Sequence, residues 1–169
     1  MNTMQKKTRR QRPNGFTLME LLIVISIMLI LMLLAIPSYN SVRILGNESS
    51  AMSSMQAINQ AQQLYHHDYP NLGYACNLSA LGSDPTQTVA TATAARVLQG
   101  DLPSGTKSGY TFNIVNCVKA PNSEEIVSFE VTGVPISIGK TGKKGYCMNA
   151  EGEVKTDPTG GTNCTQSAK

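Results

Sequence analysis

The sequence predicts an α+β fold: a long, bent N-terminal helix, its first half transmembrane, packed on a C-terminal antiparallel β-sheet. Three observations predict it. An unbroken apolar run covers Phe16–Ile36, a stretch of helix-forming composition with one apolar stripe follows to about His67, and from Tyr110 the hydrophobic period changes to two. Charged residues are only 15% of the 169 and tryptophan is absent. Both suit a chain partly in membrane and otherwise rich in Ser, Thr, Asn and Gly.

Residues 1–15 form a basic, polar leader ending in Pro13-Asn14-Gly15. The formal net charge of +3 belongs to this leader. Without its Lys6, Lys7, Arg9, Arg10 and Arg12, nine Lys and Arg face eleven acids, for −2. The isoelectric point therefore gives no reason to expect nucleic acid as a partner. Phe16–Ile36 is 21 residues, enough to cross a hydrocarbon core of ~30 Å at ~1.5 Å per residue. The basic block holds the start of the span in the cytoplasm and sends everything after about residue 37 to the other side. The run ends in Ile36-Pro37-Ser38-Tyr39 rather than in small residues of the A-x-A type, so an ordinary signal-peptidase site is not expected.

Helix is expected to continue past Pro37 with a kink there, because proline removes one hydrogen bond and crowds the preceding turn. Val42, Leu45, Met52, Met55, Ile58, Ala61 and Tyr65 recur mostly at spacings of three and four and mark one face. The chain then divides into a leader (1–15), a hydrophobic helix (16–37), its amphipathic continuation (38–68) and a globular loop-and-sheet domain (69–169). Residues 71–109 are turn-rich, with a short Ala-rich helix expected near Val89–Gln99. Tyr110–Ile114 and Ile126–Thr132 alternate as half-buried strands, and Pro135–Ile138 leads to a turn carrying Lys140, Lys143 and Lys144. Tyr146–Met148 and Gly152–Lys155 form a last hairpin, and antiparallel pairing follows from the lack of helical crossovers.

Cys76, Cys117, Cys147 and Cys164 all follow the apolar run, and none has the close spacing of a zinc or redox site. In a translocated domain they read as two disulfides, for which three connectivities exist. Cys76–Cys117 and Cys147–Cys164 are favoured, since each joins sequence neighbours and closes a moderate loop. No metal or other cofactor is expected. The adjacent His66 and His67 face different sides of a helix and read, with Asp68, as a polar helix end. The lysine turn lacks full phosphate-loop spacing and reads as a solvated loop.

Glu20 stands four residues inside the apolar run. An ionised carboxylate at a bilayer centre costs roughly 2.5–3.5 kcal/mol on insertion scales. The residues Gly15-Phe16-Thr17-Leu18-Met19-Glu20-Leu21-Leu22-Ile23-Val24 resemble the start of type IV pilins and of the pseudopilins of type II secretion. In that family a prepilin peptidase cuts after the glycine, methylates the new amine, and leaves a glutamate fifth from the cut. The resemblance implies a cut between Gly15 and Phe16, an N-methylated Phe16 and a kink at Pro37. Met19 stands where many members carry Ile, Val or Leu. A carboxylate so near the end of a span can also snorkel to the headgroups; Gly15, Phe16 and Pro37 beside it favour the family reading. There, Glu20 of one subunit meets the Phe16 amine of its neighbour and sets register.

The resemblance implies a structural subunit with no enzyme activity, made as an inner-membrane precursor and polymerised with copies of itself into an extracellular pilus filament. Its implied partners are the prepilin peptidase, an inner-membrane assembly platform, the membrane before assembly, and other copies of the chain. Two alternatives stand beside it: a pseudopilin or minor pilin of a shorter fibre, and a signal-anchored periplasmic binding module that never polymerises. Major pseudopilins often carry calcium near the C-terminus. The nearby acids Glu151, Glu153 and Asp157 make a weak case for calcium, because Asp157-Pro158 lies in a cysteine-bounded loop.

Overall fold

The computed structural model describes residues 15–168, apart from the side chains of residues 34–38. All of the leader except Gly15 thus lies outside the described residues, as does the side chain of Pro37, where the kink is expected. The chain forms two compact units that divide between Tyr39 and Asn40. One helix, α1 (Leu18–Asp68), contributes to both.

In the first unit every large apolar side chain from Phe16 to Leu33 is open to the surroundings, with exposures between 47% at Val24 and 90% at Phe16. Among the described residues of the unit nothing covers them, and Ser26 satisfies its hydroxyl locally by donating to the Leu22 carbonyl at 2.8 Å. Among the described residues no helix is long and apolar enough to cross a membrane. Within the apolar run the described side chains stop at Leu33, three residues before the run ends at Ile36.

In the second unit α1 buries Ile44, Ala51, Ser54, Met55, Ile58, Ala61, Gln62 and Tyr65. This face is rotated from the expected stripe at its N-terminal end. At about 100° per residue, Val42 and Leu45 turn away from the line through Ala51, Met55, Ile58 and Gln62, and they are 69% and 68% exposed. Ile44, between the two, takes the buried position there, and small Ala51 and Ser54 follow it on the same face.

After the helix the chain makes a four-residue helix, α2 (Leu78–Leu81), whose Asn77 cap accepts from the Ser79 N–H at 3.1 Å. The Ala-rich segment near 89–99, expected to be helical, is instead a tight Thr91–Ala94 turn and an extended run. Its N–H groups serve α2: Ala95, Arg96 and Leu98 donate to the carbonyls of Ala80, Gly82 and Leu81, each at 2.8 Å. These are carbonyls that a helix end leaves open. The extended form also buries Ala95 and Leu98 in the core.

Six strands follow in one antiparallel sheet, in the order of the sequence: β1 (Thr106–Lys107), β2 (Tyr110–Lys119), β3 (Ile126–Pro135), β4 (Gly145–Asn149), β5 (Val154–Asp157) and β6 (Gln166–Ser167). The strands expected from alternation form the interior of this sheet; the two-residue edge strands β1 and β6 are too short for a period of two to be visible. A bulge shifts the β2–β3 register between Val115 and Val118, where Asn116 has a φ of 51°. The core lies between the sheet and α1. Tyr110, Phe112, Phe129, Val131 and Met148 meet Met55, Ile58 and Tyr65, and Leu78, Leu81, Leu98 and Leu102 close one side. Gly133 permits this contact: a Cβ there would come within 3.0 Å of the Phe112 ring and 3.5 Å of the Met55 sulfur. The disulfides are Cys76–Cys117, with Cα atoms 6.1 Å apart, and Cys147–Cys164, at 5.9 Å. The first joins the segment after α1 to β2; the second closes a loop over β5.

Candidate functional site

The residues singled out around Glu20 come together at the first turn of α1. Gly15, Phe16 and Thr17 precede the helix, which begins at Leu18, so Thr17 is its N-cap and Glu20 its third residue. Thr17 Oγ1 accepts from the Glu20 N–H at 3.2 Å, while Glu20 Oε2 accepts from the Thr17 N–H at 2.9 Å and from its hydroxyl at 2.8 Å. This reciprocal arrangement is a capping box, which satisfies orphan donors at the helix start. The carboxylate also sits where the positive end of the helix dipole favours it.

Glu20 is therefore bound within its own chain as well as available to another. One carboxylate oxygen takes all of the local bonds. Oε1 accepts none among the described residues, and the side chain is exposed. The local role was missed in reading the sequence, although Thr17-Leu18-Met19-Glu20 has the S/T-x-x-E spacing that signals it. Phe16 lies four residues from Glu20, just before the helix begins, and among the described residues no atom lies within 4 Å of a Cβ placed at Gly15.

The remaining candidates lie elsewhere. His66 stacks against Tyr74, with centroids 4.8 Å apart, and His67 Nδ1 is 3.1 Å from Asp68 Oδ1. The acids near the C-terminus do not converge. Glu153 precedes β5 and Asp157 ends it, about 13 Å away at ~3.3 Å per residue. Among the described residues no group of three His, Cys, Asp or Glu side chains is placed to hold a metal ion. Asp157 is buried and organises its own loop: Oδ1 accepts from the Thr159 N–H at 2.8 Å and hydroxyl at 2.6 Å, and Oδ2 from the Asn163 N–H at 2.9 Å. Those bonds, the Thr159 hydroxyl first, hold its carboxyl below the usual range.

Two further structural residues escaped the sequence reading. Gln62, fully buried in α1, donates to the Ala75 carbonyl at 2.7 Å and accepts from the Ala75 N–H at 2.9 Å. Tyr110 donates to the Lys144 carbonyl at 2.9 Å beneath the lysine turn. Both would have required knowing which loop returns to which element.

No curated protein and no solved structure matches the chain. Residues 10–36 match the family model for the prokaryotic N-terminal methylation motif. Thr17, Glu20 and the exposed apolar helix all lie within that match, and the chain thus carries the prepilin signal of type IV pilins and pseudopilins.

Proposed function

We propose that this chain is the structural subunit of a type IV pilus, held in the inner membrane as a precursor and polymerised through its N-terminal helix. The observation that carries the reading is the prepilin signal at residues 10–36, whose glutamate keeps one carboxylate oxygen open beside the proposed cut. Water added across the Gly15–Phe16 peptide releases a new carboxyl at Gly15 and an amine at Phe16. Methylation of that amine by the same peptidase keeps it positively charged.

In the bilayer, lipid solvates the apolar surface from Phe16 to Ile36. In the filament, neighbouring helices cover it. Lipid chains and leucine side chains are about equally apolar, so the move gains packing contacts and little from water exclusion. This is the reason an inner-membrane assembly platform is needed. The Glu20 carboxylate and the Phe16 amine of a neighbour then remove most of the cost of burying either charge alone. The pair sets register, and packed area supplies cohesion. Pro37 weakens local helix bonding where the helix leaves the membrane. In this reading the chain is a building block and works without cofactor.

The test is an intact mass of the protein in fibres sheared from the cell surface. The reading expects residues 16–169 plus one methyl group, minus four hydrogens for two disulfides. The same mass confined to membranes would favour a pseudopilin or minor pilin. An uncut chain would return the case to a signal-anchored module.

A further inference from the structure

The second unit is electrically polarised along its strands. At the end where α1 enters it, the β3–β4 loop (136–144) is tied down on the helix and on β1–β2. Asn47 Nδ2 donates to the Thr141 carbonyl at 2.8 Å, the Lys143 N–H donates to Glu48 Oε1 at 2.9 Å, and Ile136 N–H donates to the Gly109 carbonyl at 2.9 Å. These bonds consume the backbone and leave the side chains outside. Lys140, Lys143 and Lys144 are all exposed, with Lys107 on β1 and Arg43 on α1 at the same end. Among the described residues none of these five cations is in an ion pair. Ile136 and Ile138 stand among them, 61% and 63% exposed.

The opposite end carries the β2–β3 turn and the β4–β5 hairpin, with Glu124, Glu125, Glu151 and Glu153. The cations here are matched: Lys119 pairs with Glu124, and Lys155 lies 3.9 Å from Glu153. Val118 and Val127 are the exposed aliphatics at this end, at 54% and 46%. Each end therefore carries exposed aliphatics among charges, and the balance of charge is of opposite sign: the five cations outnumber Glu48 and Asp101 at one end, and the four glutamates outnumber Lys119 and Lys155 at the other. The ten residues of β2, at ~3.3 Å each, separate the two ends by about 30 Å.

We infer that these ends are complementary contact surfaces between copies of this chain, the lysine loop of one head seating on the glutamate-bearing strand ends of another. The inference rests on the filament reading and specifies how the heads meet. Opposed charge selects the head-to-tail arrangement, since two like ends brought together repel. The aliphatic pairs supply the part of each surface that loses water. An anionic lipid surface would also suit the lysine loop, but it would leave the glutamate end without a role.

The test uses the full-length chain in its own cells and reads fibre in the sheared fraction. The doubly substituted Lys140→Glu/Lys144→Glu and Glu125→Lys/Glu151→Lys chains should each lose fibre by about tenfold or more, with normal amounts of processed protein in the membrane. Combining all four substitutions should bring fibre back to within about threefold of the unsubstituted chain. Recovery in the combined variant cannot arise from misfolding of its parts. Doubles with unchanged fibre, or a combined variant without recovery, would overturn the inference. If the lysine double instead loses binding to vesicles of anionic phospholipid, and the glutamate changes neither harm nor rescue, the surface belongs to lipid. Fibres that respond to Glu20→Gln but not to these changes would leave the filament reading intact. An unsubstituted chain that makes no fibre would sink both.

Discussion

The two parts of α1 show how differently one helix can be stabilised. As far as Leu33, large aliphatics stand open on all sides and the helix start is secured by the Thr17–Glu20 capping box. After Asn40, a single face from Ile44 to Tyr65 is buried against a sheet, and Gln62 ties the helix to the returning chain. The second part has its solvent supplied by its own fold. The first leaves an apolar patch of the extent that marks interaction surfaces, which in the proposed reading lipid or other copies cover. Function therefore concentrates where packing is missing, and stability where it is complete.

The largest effect is expected from breaking the first part at its cut. Gly15→Leu should leave full-length precursor in the membrane and no fibre, read by intact mass. A Cβ at Gly15 meets no atom of the described residues within 4 Å, so such a loss would be a failure of processing and not of folding. Glu20→Gln sharpens the same point. Glutamine can still complete a capping box, but it carries no charge. Processing and helix content should stay normal while sheared fibre falls at least about tenfold, as expected if an unpaired amine is left buried. Abundant fibres would show that the cap is the whole role of Glu20.

The second part is broken by stability changes. Cys147→Ser should destabilise the head by about 2–5 kcal/mol, the usual range for a native disulfide in a small exported domain. Thermal unfolding of the purified chain in detergent measures it, and processing at Gly15 should be unaffected. Gln62→Leu removes both partners of Ala75 and leaves a buried N–H and carbonyl unmet, for about 2–4 kcal/mol by the same measurement. The smallest effect concerns acid. Asp157 is held below the ordinary carboxylate range, so its contribution is complete above about pH 4 and is lost as pH falls through the lowered folded value. The melting temperature of Asp157→Asn should be lower than that of the unsubstituted chain at neutral pH, and the gap should close below pH 4.

What could be read in advance follows from the range of each interaction. The period-two runs at Tyr110–Ile114 and Ile126–Thr132 lie within β2 and β3 because alternation is a local consequence of strand geometry. The 89–99 segment misled because alanine favours helix only when nothing else needs its N–H groups, and α2 needs them. At the candidate site, the cut and the glutamate were visible as spacing. The cap was visible too, in Thr17, but a residue already explained by one role conceals a second.

By itself the sequence determined the prepilin signal, the extent of the apolar run, the α+β class and the side of the run on which every cysteine lies. These depend on neighbours a few residues apart, where side-chain type and spacing suffice. Only the tertiary structure decided the face of α1 turned to the core, the pairing of Gln62 with Ala75, the self-contained loop of Asp157 and the gathering of five cations at one end of the sheet. Each joins residues far apart in the chain, and their meeting is set by how helix and sheet pack.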